Sequence, residues 1–251
     1  MKTIVIANQK GGVGKTSTLF HLAHNFKERQ LRPVVIDLDT QGNASYSLKQ
    51  YQGAVTASQS LRGDVGTVAE AVGDTMLLIP ADDDLADNER IPLGEVIAGL
   101  KRTMQALKAA GYDVCLIDTP PSMGNSLIAS LAVADYVLSP IEMAVYSIGG
   151  VQKMDATISN VRDFNPALQW MGVLPSKVDR RNPRHVAHLR QLREQHPDLI
   201  LPVEIGLRSS IAEAIESGVP VWRVKKTAAR KASAELQGLA DYVCKYMEIH
   251  A

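Results

Sequence analysis

The chain has 251 residues, a length that fits one α/β domain. Hydrophobic residues make up 45% of it, which is enough for a sizeable core and excludes an intrinsically disordered chain. The 27 Lys and Arg residues balance the 27 Asp and Glu residues, so the net charge points to no class of partner. The distribution of charge is nevertheless uneven, because basic residues concentrate in the stretches 177–193 and 223–231.

Short apolar runs rich in Val, Ile and Leu alternate with helical patterns along the chain. The runs predict strands at 3–7, 33–39, 76–81, 113–119, 135–141 and 170–178. Helices are predicted at 15–30, 93–110, 146–163, 184–195 and 229–248. Continuous apolar runs suit strands that are buried on both faces. The expected fold is therefore α/β, a single domain over residues 1–251 with a doubly wound, mostly parallel sheet and helices on both faces. Residues 43–75 are predicted to be an irregular excursion.

The first motif is IANQKGGVGKTS, which follows the first strand and opens a helix. Its glycines let backbone N–H groups converge on phosphate oxygens. Lys15 is placed to reach the β- and γ-phosphates, and Thr16 to ligate Mg²⁺ through its hydroxyl. The usual phosphate-loop pattern has glycine where Gln9 stands. The residues of this motif expected to bind the nucleotide are Gly11, Gly12, Val13, Gly14, Lys15, Thr16 and Ser17, and Lys10 precedes them in the same loop.

Two further motifs follow predicted strands. In VIDLDTQGNAS, Asp37 and Asp39 lie two residues apart, so they point the same way if the strand persists. A carboxylate there could position a water or a hydrated metal ion, and the alternative is a pair of capping carboxylates. In DVCLIDTPPSMGN, an apolar strand ends in Asp118, which predicts an Mg²⁺ ligand. Ser122 and Asn125 are placed to open the next helix.

The three motifs, in this order and spacing, resemble the ParA/MinD family of P-loop ATPases with a deviant Walker A motif, and within it the ParA branch. The resemblance covers nearly the whole chain. It implies an ATP- and Mg²⁺-dependent homodimer in which Lys10, the signature lysine, contacts the nucleotide of the other subunit. It also implies that Lys10, Lys15 and Asp39 act in hydrolysis, Asp39 by activating water, and that Thr16, Asp39 and Asp118 serve the metal. Thr40 replaces a proline of the family pattern, which predicts a freer turn.

The ParA branch also implies binding to DNA without sequence preference and stimulation of hydrolysis by a ParB-type centromere-binding partner, in the service of plasmid partition. Basic side chains would contact DNA phosphates. The family pattern favours Arg181 and Arg208, and the neighbouring candidates are Arg180, Arg184, Lys225, Lys226, Arg230 and Lys231. The alternative interpretation of these residues is an ordinary solvated surface.

Other branches of the family are less compatible with the sequence. A membrane-associated MinD-like ATPase, the main alternative, ends in a basic amphipathic helix, whereas this chain ends LADYVCKYMEIHA. An iron–sulfur carrier needs cysteines after residue 119, and residues 119–150 contain none. No apolar run approaches the ~20 residues that span a bilayer. The expected location is the cytoplasm, on the nucleoid when ATP is bound. The first strand starts near residue 3, so no N-terminal helix-turn-helix domain is expected, and a longer form with an N-terminal extension remains an alternative.

Overall fold

A computed structural model describes residues 1–64, 76–143 and 147–249, with only the backbone given at residues 147 and 148. Its core is a six-stranded sheet in the order β3-β2-β4-β1-β5-β6, and every neighbouring pair is parallel. The strands are β1 (Lys2–Ile6), β2 (Pro33–Asp37), β3 (Leu77–Ile79), β4 (Val114–Asp118), β5 (Tyr136–Glu142) and β6 (Gln169–Ser176). All six predicted strands are confirmed.

Nine α-helices lie in the described residues. They are α1 (Lys15–Glu28), α2 (Asn43–Ser47), α3 (Ala57–Arg62), α4 (Leu93–Ala109), α5 (Asn125–Val133), α6 (Ser147–Val161), α7 (Pro183–Gln195), α8 (Ser209–Glu216) and α9 (Ala229–Tyr246). Short 3₁₀ segments occupy Lys49–Tyr51, Asp83–Arg90 and Val221–Arg223. The five predicted helices are confirmed within a few residues at each end. The first residue of the helix predicted at 146–163 lies outside the described residues.

The prediction of an irregular excursion at 43–75 is wrong for its first part. Helices α2 and α3 lie there, and α3 begins with a capping box in which Thr56 and Gln59 satisfy each other's backbone N–H groups. Thr56 and Gln59 therefore cap a helix rather than lie in a loop. The part of the prediction from residue 65 to residue 75 lies outside the described residues.

The sheet is covered on both faces, as the continuous apolar runs predicted. Alternate residues of β1 enter different cores: Ile4 and Ile6 pack with α1, α8 and α9, whereas Val5 packs with α3 to α6. Each face of the sheet is therefore buried, which explains why the strands do not alternate between apolar and polar residues. Within the described residues, no helix combines the length and apolarity needed to cross a membrane.

Helix α1 carries two buried histidines on its covered side. The His21 ring lies 5.8 Å from the Trp222 ring, and the His24 ring lies 5.9 Å from the Tyr51 ring. The Nε2 atoms of both histidines have no hydrogen-bond partner among the described residues. Burial lowers the pKa of His24 to about 3, and the neighbouring His21, Lys27 and Arg223 add to the effect.

The lowered pKa of His24 makes the stability of the fold depend on pH. The unfolded chain takes up a proton at His24 near pH 6.5, whereas the folded chain does not. The free energy of unfolding is therefore undiminished by His24 above pH 6.5 and decreases as the pH falls below that value. Between pH 7 and pH 5 we expect His24 to cost about 2 kcal/mol of unfolding free energy. Denaturant titrations of the wild type and of His24→Leu at both pH values measure this term, because other titrating groups are common to the two proteins. An equal loss of stability in both proteins would refute it.

Candidate functional site

The site forms where the carboxyl ends of three central strands meet. Ile6 and Asp37 are both in register with Asp118, so the loops that leave β1, β2 and β4 start at one level of the sheet edge. These loops carry the three sequence motifs. A doubly wound sheet places its ligand crevice at such an edge, and the motifs that lie far apart in sequence therefore surround one cavity of about 430 Å³.

The loop after β1 has the backbone geometry of a phosphate cradle. Gly12 and Gly14 have φ angles of 72° and 98°, which side-chain-bearing residues rarely adopt. A Cβ atom on Gly14 would lie 2.7 Å from Ser176 Oγ, so this position has no room for a side chain either. Helix α1 begins at the next residue and directs its free N–H groups toward the cavity. The predicted binding residues that line the cavity are Gly11, Gly12, Gly14, Lys15, Thr16 and Ser17, whereas Val13 is fully buried.

Gln9, which replaces the first glycine of the usual pattern, connects the loop to another helix. Its Nε2 atom donates to Thr157 Oγ1 on α6 at 3.0 Å and approaches Met123 Sδ at the same distance. Asn8 is buried beside it and donates to the carbonyl of Pro140 at 2.8 Å. The start of the loop is thus fixed by side chains rather than by a glycine turn.

Lys15 projects into the cavity from the start of α1 and is almost fully buried. Burial lowers the pKa of its amine, and the carboxylates of Asp118 and Asp39 act in the opposite direction. A cation shielded from solvent at this position is suited to neutralise a phosphate in the cavity, because burial strengthens the attraction between the two charges.

Thr16 and Asp118 form the part of the site that fits a metal ion. Thr16 Oγ1 donates to Asp118 Oδ2 at 2.6 Å, while the buried Oδ1 of Asp118 has no hydrogen-bond partner among the described residues. Burial, and next the charge of Asp37, raise the pKa of Asp118 to about 8. No cluster of three or more His, Cys, Asp or Glu side chains suited to a metal occurs in the described parts of the chain. The pair of Thr16 and Asp118 nevertheless fits Mg²⁺, which commonly takes one or two carboxylates and completes its shell with water and phosphate.

The two carboxylates of the second motif have different surroundings, because the condition for their pointing the same way, a strand that persists to Asp39, is not met. Strand β2 ends at Asp37, whose Oδ2 atom accepts from both the backbone N–H and the hydroxyl of Ser45, at 2.7 Å each. Asp37 therefore fixes the start of α2, as the capping alternative proposed. Asp39 lies beyond the strand and lines the cavity. Its Oδ1 atom accepts from Gln41 N at 3.0 Å, a bond that holds the turn across the exposed Thr40.

Lys10 does not line the cavity that its neighbours form. Its backbone N–H donates to Asn8 Oδ1 at 2.9 Å, and its Nζ atom lies 3.3 Å from Glu142 Oε2 at the end of β5. The side chain is 57% exposed. Among the described residues, those that surround the cavity of about 430 Å³ do not include Lys10. The two lysines of this loop therefore differ: Lys15 lines the cavity, whereas the Lys10 side chain points away from it toward solvent.

A second, largely apolar cavity of about 560 Å³ continues from the first, and both are bordered by Gly14, Ser17 and Lys177. Ile205, Ile211 and Leu236 supply apolar walls. The segments 175–179 and 202–206 both contribute to it. Sequence reasoning did not single out Lys177 or Glu216, which border both cavities. Lys177 has a φ angle of 53°. Its place directly after the buried strand end at Ser176 was the available signal.

Only some of the candidate DNA-binding residues in the C-terminal third lie close together. Four of them, Arg180, Arg181, Arg208 and Lys231, surround one open cavity of about 610 Å³. The others are exposed but do not line this cavity: Arg184 lies in the first turn of α7, Arg230 in that of α9, and Lys225 and Lys226 precede α9. Several candidates have acidic partners, since Arg181 pairs with Asp179 at 3.1 Å and Lys226 pairs with Glu213 at 2.6 Å.

Comparisons with known proteins agree with this geometry. A family model described as an AAA domain matches residues 1–170, which include all three motifs of the site. The protein IncC of Escherichia coli is 53% identical to the chain, and the match covers 99% of this chain and 71% of that protein. The chromosome partitioning protein ParA of Caulobacter vibrioides is 33% identical, with 88% of this chain and 86% of that protein covered.

A solved structure shows the same likeness in three dimensions. The structure of cobyrinic acid a,c-diamide synthase from Mycobacterium smegmatis, with a bound ATP analogue and magnesium, is 29% identical. The superposition covers 99% of this chain and 96% of that one, with a TM-score of 0.81. The resemblance inferred from the motifs is therefore confirmed, and so is the doubly wound fold class.

Proposed function

The chain belongs to the ParA family of P-loop ATPases, and from that membership we propose that it is a plasmid partition ATPase. It binds ATP and Mg²⁺, closes as a homodimer around two nucleotides, and holds DNA without sequence preference while closed. A ParB-type centromere-binding partner accelerates hydrolysis, which opens the dimer and releases DNA. The protein works in the cytoplasm and associates with the nucleoid in its ATP-bound form. Repeated binding and release then bias the position of plasmid copies before division.

The observation that carries this proposal is the outward direction of Lys10. A lysine in a phosphate loop that does not line its own cavity is suited to a phosphate outside the chain. A second copy related by two-fold symmetry supplies that phosphate, and each subunit then completes the other's site. ATP binding and dimerisation are therefore coupled, because each phosphate site is completed only by the other subunit.

The residues of one chain divide the work on the phosphates. The N–H groups of the glycine loop and the amine of Lys15 neutralise charge on the β- and γ-phosphates. Thr16 and Asp118 would hold Mg²⁺, which supplies positive charge to the phosphate oxygens during transfer. The apolar cavity beside Ile205 and Ile211 excludes water from one side of the nucleotide. These contributions are electrostatic and positional, as phosphoryl transfer requires.

Asp39 is proposed to orient the attacking water. It borders the phosphate cavity, and its bond to Gln41 N holds the carboxylate in place. Replacing Asp39 with alanine should leave ATP binding and dimerisation intact and lower hydrolysis by about 10²-fold or more, since general-base positioning typically contributes that much. The variant should retain DNA for as long as ATP is present. Phosphate release and sedimentation measured on the same samples test this, and a variant that hydrolyses ATP at the wild-type rate would remove Asp39 from the reaction.

The proposal is tested by binding to mixed-sequence DNA with ATP, with ADP and without nucleotide, at several salt concentrations. Retention with ATP alone, weakening steeply as salt rises, is the expected result, because phosphate contacts release counterions. Equal binding in all three states would contradict the nucleotide switch. ATP-dependent binding to liposomes without binding to DNA would instead favour the MinD-like membrane alternative.

A further inference from the structure

The segment Gly206–Arg208 lies between two cavities: the apolar cavity of about 560 Å³ and the open cavity of about 610 Å³ lined by basic residues, here called the basic cavity. Gly206, Leu207 and Arg208 line the apolar cavity on one side. Leu207 and Arg208 also line the basic cavity with Arg180 and Lys231. A displacement of this short segment would therefore change the walls of both cavities.

Glu235 on α9 holds this segment by three hydrogen bonds. Its Oε1 atom accepts from Arg208 Nη2 at 2.6 Å, and its Oε2 atom accepts from Arg208 Nε at 3.1 Å. The same Oε2 accepts from the backbone N–H of Gly206 at 3.0 Å. A Cβ atom on Gly206 would lie 2.7 Å from Arg208 Nη2, so glycine at this position allows the arginine to fold back. One carboxylate thus ties the backbone of the segment to its arginine.

The pairing leaves Arg208 poorly available to an external anion. Its side chain is only 24% exposed and that of Glu235 only 16%, so the pair is shielded from solvent. A two-pronged bond between guanidinium and carboxylate is the same fork that an arginine offers to a phosphate. A DNA phosphate must therefore replace the carboxylate before Arg208 can bind it.

We propose that Glu235 is an internal competitor for the DNA phosphate, and that nucleotide in the adjacent cavity loosens its hold on Gly206 and Arg208. This inference rests on the proposed DNA-binding function and adds a means of regulation to it. The hydrogen bond from Gly206 N connects the apolar cavity to Arg208. A nucleotide base packed against this segment would move Gly206, which shares the Oε2 atom of Glu235 with Arg208. Without nucleotide, the segment keeps the arginine folded back.

Glu204 provides a matched comparison in the same region. It pairs with Arg180 at 2.6 Å and with Arg193 at 3.2 Å, and it borders the same basic region as Glu235. Among the described residues it makes no hydrogen bond to Gly206 or Arg208. Removing its charge should strengthen DNA binding through general electrostatics alone, equally in every nucleotide state.

The test is the affinity for a mixed-sequence duplex, measured by fluorescence anisotropy at one salt concentration with ATP, with ADP and without nucleotide. Glu235→Gln should raise the nucleotide-free affinity about tenfold and shrink the ratio between the ATP-bound and nucleotide-free states by a similar factor. Glu204→Gln should leave that ratio unchanged. Arg208→Lys keeps the charge but loses the fork, so it should also shrink the ratio, and it tests the same contact without altering α9.

The outcomes separate the inference from the function on which it rests. If the wild type binds DNA only with ATP and both Glu235→Gln and Arg208→Lys preserve that ratio, Glu235 is not a competitor and only the inference fails. If Glu235→Gln and Glu204→Gln change all three affinities by the same factor, the nucleotide link is likewise refuted. If the wild type binds no DNA in any state, the proposed function fails first and the inference falls with it.

Discussion

Replacing Lys15 with alanine is expected to lower ATP hydrolysis by about 10³-fold or more, the largest effect of any single substitution in the loop. Lys15 is a buried cation that borders the cavity of about 430 Å³, and its charge interacts with the carboxylates of Asp39 and Asp118. Without it, those carboxylates face the phosphates with no positive side chain between them. ATP affinity should fall together with hydrolysis, because the ground-state phosphates carry the same charge.

The measurement for Lys15 is phosphate release together with nucleotide binding by fluorescence or calorimetry. Lys27→Ala is the matched control, because Lys27 lies in the last turn of the same helix and donates to Tyr51 Oη rather than to the site. That control should hydrolyse ATP like the wild type. If Lys15→Ala binds and hydrolyses ATP within a few-fold of the wild type, the loop is not the phosphate site.

Replacing Lys10 with alanine should have a different effect. The variant should bind ATP as a monomer, since Lys15 and the glycine loop remain, but it should not dimerise and should lose about 10²-fold or more of its hydrolysis. The reason is geometric: the Lys10 side chain is exposed, lies beside Glu142 and does not line its own cavity. Its removal therefore costs a contact that exists only between subunits.

Light scattering or sedimentation with ATP and with ADP measures the mass of the Lys10→Ala variant. Lys101→Ala is the control, because Lys101 is an exposed lysine on α4, away from the loop. It should dimerise normally. An ATP-dependent dimer of wild-type stability in Lys10→Ala would refute a role for Lys10 across the interface.

The sequence was most informative where the signal is local. Apolar runs marked all six strands, because strands buried on both faces have no polar positions to disguise them. The glycines and Lys15 marked the phosphate loop, because a strand followed by that loop and a helix leaves few other interpretations. The strand-end aspartate at position 118 was found in the same way.

Contacts between distant segments could not be predicted. The surroundings of Asp37 and Asp39 depend on where β2 ends, and Ser45, eight residues beyond Asp37, donates its backbone N–H and its hydroxyl to the Asp37 carboxylate. Arg208 was recognised from a local pattern, but its partner Glu235 lies 27 residues away on another helix. Neither periodicity nor composition predicts such a pair, because it depends on how α8 and α9 pack.

The central claim is that Lys10 acts on the nucleotide of the other subunit, and complementation between variants tests it most directly. ATP hydrolysis is measured for Lys10→Ala alone, for Lys15→Ala alone and for an equal mixture of the two. In a mixed dimer, the intact Lys15 of one subunit and the intact Lys10 of the other complete one site. We expect hydrolysis in the mixture to lie well above the sum of the two variants. A mixture no more active than that sum would contradict it, since a lysine acting within its own chain leaves neither site complete.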